Sequence, residues 1–267
     1  MSALSSSEIG SLPGGRAALL IGHPGHELRV HHWLEVARPI VCVITDGSGH
    51  GTTGRLLSTE RVVHAAGAMP GPVFGRLSDR QVYEMLVRVD VGAWLALAEE
   101  LAHCLRDSAI DNVMSDAAEG FNPTHDLCRY VSDAAIARAA RQSGRAISTF
   151  EFDLEAAPDA HTEAVGASSI RLELDDEALA RKTEAALGYV EMRGEVEAML
   201  ARFGRQAFAA ETFRPAQSGA TRWEGGPAPA YERHGRSRIA DGIYRTLITY
   251  EAHLRPVQTA LRDWSLQ

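Results

Sequence analysis

The chain has 267 residues, of which 45% are hydrophobic and 23% charged, with 27 Lys and Arg against 35 Asp and Glu. That composition is of a soluble globular protein long enough for one large core, and it excludes a disordered tail or a disulfide-framed miniprotein. The net charge of −8 argues against nonspecific nucleic-acid binding, which needs a surplus of Lys and Arg to neutralise phosphates. No window approaches the roughly 20 apolar residues of a membrane span. Ser5-Ser6-Ser7-Glu8 has neither the basic start nor the apolar run of a signal peptide. Cys42, Cys104 and Cys128 form no Cys-x-x-Cys pair and read as ordinary thiols, so the expected compartment is the cytoplasm.

Short apolar runs alternate with helical ones. Arg16 to Ile21 reads as a buried strand ending in Gly22-His23-Pro24-Gly25, and residues 26–37 follow as a helix. Pro39 to Ile44 is a second strand, closed by the turn-forming Thr45-Asp46-Gly47-Ser48-Gly49. Residues 58–67 and 79–105 are helix-like, and Ile110 to Met114 is a third strand ending near Ser115-Asp116. Thr124 to Gln142 is an Ala-rich helix that stops near Gly144, and Ala146–Phe152 and Ser169–Leu174 read as further strands. Asp175-Asp176-Glu177 suits the start of a helix carrying Leu179, Thr183, Leu187 and Val190. Residues 219–229 form the clearest loop, and Ser237 to Trp264 is again amphipathic, with Ile239, Ile243, Leu247, Tyr250 and Leu254 on one face.

This alternation predicts an α/β, Rossmann-like, mainly parallel sheet flanked by helices, with a C-terminal helical extension. Ligands of such sheets sit beyond the C-terminal ends of the strands, which groups residues 22–27, 45–49 and 116–125 at one crevice. His23 and His26 stand three apart, and His125 opens the helix after the third strand. Three neutral imidazoles with one open position make a catalytic zinc site; the same spacing also occurs in surface histidines at helix starts.

The stretch Ala18-Leu19-Leu20-Ile21-Gly22-His23-Pro24-Gly25-His26-Glu27 resembles the Ala-His-Pro-Asp-Asp-Glu opening motif of the PIG-L (LmbE-like) zinc-dependent N-deacetylases. Thr45-Asp46-Gly47, the helix bearing Ser58-Thr59-Glu60-Arg61, Asn122-Pro123-Thr124-His125 and Ala210-Glu211-Thr212-Phe213-Arg214 resemble later motifs of the family, in order. The resemblance covers about residues 16–214 and implies an N-terminal tail over 1–15, the α/β domain over 16–214, and a loop and helical extension over 215–267 packed on the same domain. It implies Zn2+, or another divalent metal, on His23, His26 and His125, and hydrolysis of an N-acyl group, N-acetyl above all, on an amino sugar or related small metabolite.

The family's general-base Asp is Gly25 here, and the first His and the Asp of the later motif are Asn122 and Thr124. Three explanations stand open: another base among Asp46, Asp126 and Glu27, altered metal-dependent chemistry within a biosynthetic pathway, or a catalytically silent binding protein. Arg61 and Asn122 are the substrate-binding candidates, Arg61 by resemblance, each also readable as a local structural residue. His161 and His234 fall in expected loops, and His31, His32 and His64 read as surface or supporting groups. Trp223-Glu224-Gly225-Gly226 has the composition of a lid with a stacking surface for a sugar. The segment from Tyr231 to Trp264 could pack on the sheet or form a contact between copies of the chain, a homo-oligomer.

Overall fold

A computed structural model describes residues 12–49, 51, 53–155, 169–216 and 227–267. Its seven strands are β1 (Ala17–Ile21), β2 (Ile40–Thr45), β3 (Met69–Leu77), β4 (Asn112–Asp116), β5 (Ser148–Phe152), β6 (Ile170–Glu173) and β7 (Ala210–Pro215). They form one sheet in the order β3-β2-β1-β4-β5-β7-β6. The first five strands are parallel, and β7 runs antiparallel to both β5 and β6. The chain winds outward from β1 through β2 to β3 and then returns to β4 on the other side of β1. That reversal puts the topological switch point between β1 and β4, where open α/β sheets bind ligands.

Successive residues of the central strands feed opposite layers. Leu20, Cys42 and Val113 face the layer containing α4 (Val91–Asp107) and α5 (Pro123–Ser143). Leu19, Val41, Val43 and Met114 face Trp33 and Leu34 of α1 (His31–Ala37) and Val63 of α2 (Leu56–Ala65). All five residues of β1 and of β4 are buried, as a sheet covered on both faces requires.

The expected fold class holds, with local differences that have identifiable causes. β3 carries two prolines and two glycines in Met69-Pro70-Gly71-Pro72-Val73-Phe74-Gly75-Arg76-Leu77, a composition that reads as loop. It survives as a strand because it lies at the sheet edge with register shifts against β2, where missing N–H donors are tolerated. The single helix expected over 79–105 is two: α3 (Asp79–Val87), started by a Ser78–Gln81 capping box, and α4, capped by Asp90 on the Ala93 N–H. Residues 26–37 begin with a 3-10 turn, His26–Val30, before α1.

The amphipathic tail is likewise interrupted. The helix α8 (Ala230–Ala240) stops before Gly242, whose φ of 73° no helix accepts. A π-helical turn at Tyr250–Leu254 then leads into α9 (Arg255–Ser265), which packs on α4 and α5. Ile239 and Ile243 are therefore exposed, while Tyr250 and Leu254 are buried. No helix among the described residues is long and apolar enough to cross a membrane. His161, the Trp223 loop through Gly226 and most of the expected N-terminal tail lie outside the described residues.

Glu211 of β7 ties three elements together. Its carboxylate accepts the His32 and Trp33 N–H groups, each at 2.8 Å, which caps the start of α1. It also pairs at 2.8 Å with Lys182 of α6 (Asp176–Gly188), whose ammonium donates to Arg29 O as well. Both side chains are buried, so removing one charge strands the other. Lys182→Met is expected to lower stability by about 3–5 kcal/mol, read from the midpoint and slope of urea unfolding.

Candidate active site

The approach to the site begins where β1 ends. Gly22 donates its N–H to Asp116 Oδ2 at 2.7 Å, and a Cβ at Gly22 would stand 3.2 Å from that same oxygen. Gly25, at φ 105°, then reverses the chain into the His26–Val30 turn. The buried Glu27 carboxylate holds that reversal by accepting the Gly25 N–H at 2.7 Å. These constraints bring the His23 and His26 ring centroids to 5.3 Å. His125, in the first turn of α5, completes the group at 5.1 Å from His23 and 4.6 Å from His26. Two imidazoles three positions apart and a third about a hundred positions further along the chain thus meet at the switch point.

Two rings are held from behind. His23 Nδ1 lies 2.7 Å from Thr45 Oγ1 and 3.0 Å from Asp79 Oδ1. His26 Nδ1 lies 2.8 Å from Asp116 Oδ2. A carboxylate accepting from Nδ1–H leaves the Nε2 lone pair as the ring's free donor to a metal. Burial would raise the Asp79 pKa, but its contact with His23 outweighs that and holds the carboxyl below the usual range. Burial pushes the His23 imidazole below its ordinary pKa against the pull of Asp79, and pushes His125 well below, with the neighbouring His26 and His23 adding to the effect.

Neutral, carboxylate-backed imidazoles are the form that ligates divalent cations. His23 Nε2 and His125 Nδ1 are buried without a hydrogen-bond partner among the described residues, an expensive condition that a cation would relieve. The rings now pack edge to face, at 78°, 69° and 88°. In that packing no three His, Cys, Asp or Glu among the described residues form a metal-holding group. Three imidazoles with two unpartnered ring nitrogens are a donor set that fits a divalent cation chemically.

The imidazoles open into a cavity of about 830 Å3 that is also lined by Gly25, Asp79, Asn122, Glu155 and Met192. Asn122 stands at the α5 N-terminus, its Oδ1 accepting from Thr124 N at 2.8 Å. The other expected residues are elsewhere. Asp46 accepts the Ser48 N–H within its own turn, and Asp126 accepts the Gly120 N–H behind His125; neither lines the cavity. Glu27 is buried beneath the Gly25 turn, and burial raises its pKa. Arg61 bonds to Ser58 Oγ and Leu57 O on an outer depression shared with His64. His31 is buried, and His234 is exposed on α8.

Two carboxylates that contact the histidines were not singled out as site residues in the sequence. Asp116 had a signal, since it ends a buried strand; Asp79 follows the strand whose prolines and glycines concealed it. Arg55 lines the cavity where Arg61 does not, with its Nε donating to Gly47 O at 3.0 Å.

Any side chain at position 25 is strained by the backbone φ of 105° and would displace the end of the Met192 side chain. A Cβ at Gly25 would overlap Met192 Sδ and stand 3.2 Å from its Cε, with Tyr189 Cζ at 3.9 Å. Tyr189 is fixed there by its hydroxyl contact with Thr59 Oγ1 at 2.8 Å. The thioether therefore fills the space into which a side chain at position 25 would grow.

No model of a known protein family matches the sequence, and no curated protein matches it. Solved structures do share the fold. The zinc-inhibited form of teicoplanin deacetylase Orf2 is similar with a TM-score of 0.52 at 13% identity, over 75% of this chain and 97% of that one. The pseudoaglycone deacetylase Dbv21 is similar with a TM-score of 0.52 at 19% identity, over 77% of this chain and 98% of that one. A deacetylase–teicoplanin complex is similar with a TM-score of 0.51 at 15% identity, over 75% and 98%.

The strain and crowding at position 25 set a test. Gly25→Asp is expected to cost about 2 kcal/mol or more, from a backbone conformation that side chains rarely adopt and from overlap with Met192. Adding Met192→Ala should recover about 1 kcal/mol of that by non-additivity. A double-mutant cycle on urea unfolding measures both terms.

Proposed function

We propose that this chain is a divalent-metal-dependent amide hydrolase of the PIG-L (LmbE-like) kind that removes an N-acyl group, an N-acetyl on an amino sugar being the simplest case. The observation that carries the reading is the convergence of His23, His26 and His125 at the switch point, two of them backed by carboxylates. The fold shared with solved deacetylases supports it. The amide C–N bond breaks, with water supplying hydroxyl to the acyl carbon and a proton to the departing amine.

His23, His26 and His125 would hold the cation. When bound, it supplies Lewis acidity and lowers the pKa of water. Asp79 and Asp116 fix the orientation of His23 and His26 from behind. Asn122, whose Oδ1 is already engaged by Thr124 N, presents its NH2 as the donor for a substrate oxygen.

The proton-accepting role falls to a carboxylate on the cavity wall. Glu211 is tied to Lys182, Asp153 to Arg214 and Asp79 to His23, which leaves Glu155 and Glu195 on the wall, and of these Glu155 interacts electrostatically with His26. We assign the role to Glu155, which lines the same cavity. Partial burial raises its pKa against the opposing influence of Arg29 and His26, the direction that favours proton acceptance. Met192 over Gly25 is the observation that favours a second reading, a cation-binding protein without hydrolysis; cation uptake without acyl release would select it.

His125→Ala is expected to abolish both cation uptake and acetate release from N-acetylglucosamine derivatives while the chain stays folded by circular dichroism. Asp116→Asn should weaken cation affinity about 10–100-fold, measured by titration with several divalent ions, Zn2+ among them. Glu155→Gln should lower turnover by about a hundredfold or more with cation affinity unchanged. A His125→Ala protein that keeps its cation and its activity would remove this residue from the site and the reading with it.

A further inference from the structure

The cavity over the imidazoles has two unlike walls. One is the sheet edge with its histidines and carboxylates. The other is built on α7 (Arg193–Phe203) and the residue just before it, Met192. Val196, Met199, Leu200 and Phe203 follow Met192 at intervals of four, seven, eight and eleven, which places all five on one helical face. All five line the cavity, and α7 contains no fully buried residue. The contacts of α7 run chiefly to α6 and to the turns at its two ends. An amphipathic helix normally buries its apolar stripe against a core; this one turns the stripe toward the chemistry.

The stripe also reaches the chemistry. Its first member, Met192, is the side chain that occupies the space over Gly25, between the two histidines of the opening motif in sequence. The apolar surface therefore starts beside the imidazoles, and Phe152 lines the same cavity. At about 830 Å3 the volume lies near the top of the range for pockets that enclose drug-sized ligands. Glu195 and Arg202 of the same helix also line the cavity, so the hydroxyls of a small sugar find partners beside the stripe but none along it.

Resting on the hydrolase reading above, we infer that the substrates are amides carrying a large apolar group, an alkyl chain or an aromatic system, next to the scissile bond. The group packs on the stripe from Met192 to Phe203 while the amide meets the histidines. It can be attached through the acyl carbon or through the amine nitrogen, and the two attachments are separable by experiment.

Binding is measured by calorimetry on the full chain in EDTA, which prevents turnover. The ligands are N-acetylglucosamine, N-octanoylglucosamine with an apolar acyl group, and N-octylacetamide with an apolar amine. At least one octyl ligand is expected to bind about tenfold or more tightly than N-acetylglucosamine, a gain that burial of two methylenes suffices to supply. Whichever octyl ligand gains identifies the side of attachment. Met199→Ser and Leu200→Ser should reduce the preference to about threefold or less with the melting temperature unchanged. Equal binding of all three ligands overturns the inference. So do variants that lower the melting temperature and leave the preference intact, because the stripe then packs against the chain itself. An apolar preference in a protein that hydrolyses none of the three with cation restored keeps the stripe as the binding wall for an apolar group and removes the hydrolase reading, so the two failures are distinguishable.

Discussion

The Asp116 carboxylate is the constraint on which the site depends. It is fully buried at the end of β4, and one of its oxygens accepts both the Gly22 N–H and His26 Nδ1. Hydrogen bonds to a charged group are worth about 1.5–3 kcal/mol each. A single oxygen thus fixes the path of the chain leaving β1 and the angle of one imidazole. Its second oxygen has no partner among the described residues. A buried, half-satisfied carboxylate is tolerable where positive charge arrives, and costly otherwise. The strand order supplies the rest, because β1 and β4 are neighbours only through the reversal of winding that creates the crevice.

The sheet centre was legible because β1, β2 and β4 are short apolar runs bounded by Gly, Pro and Asp, the pattern that burial on both faces imposes. The three histidines were legible for a related reason: strand ends are where such a sheet presents ligands, so position in the sequence predicted position in space. β3 was illegible because an edge strand need not look like one, and with it went Asp79, whose role depends on where β3 ends. Asp46 and Asp126 show the opposite failure. Both sit at strand or helix ends with the right chemistry, yet Asp46 is consumed by its own turn and Asp126 by the Gly120 N–H. Residue type and spacing do not reveal which of two nearby carboxylates the backbone has already claimed.

Gly25 and Met192 have to be read as one feature. Position 25, where the resemblance implies an Asp, holds a glycine, and the end of the Met192 side chain lies where a Cβ there would stand. The two positions lie far apart in the chain and share no motif, so the glycine was visible in the sequence and the side chain over it was not. The same holds for Glu211, which falls in a recognisable segment but whose work, capping α1 and holding the buried Lys182, is visible only in three dimensions.

The two walls of the cavity differ in how firmly they are held. Asp116 stands on β4 and His125 on α5, while His23 and His26 directly follow β1, and buried elements of that kind open only with the whole fold. The opposing wall, α7, buries none of its residues fully, so side chains there can change with little effect on the core. Chemistry is thereby fixed by the part of the molecule that stability protects, and the character of the cavity by the part it does not. That division lets the lining of the cavity on α7 vary while the three imidazoles stay where the sheet and α5 hold them.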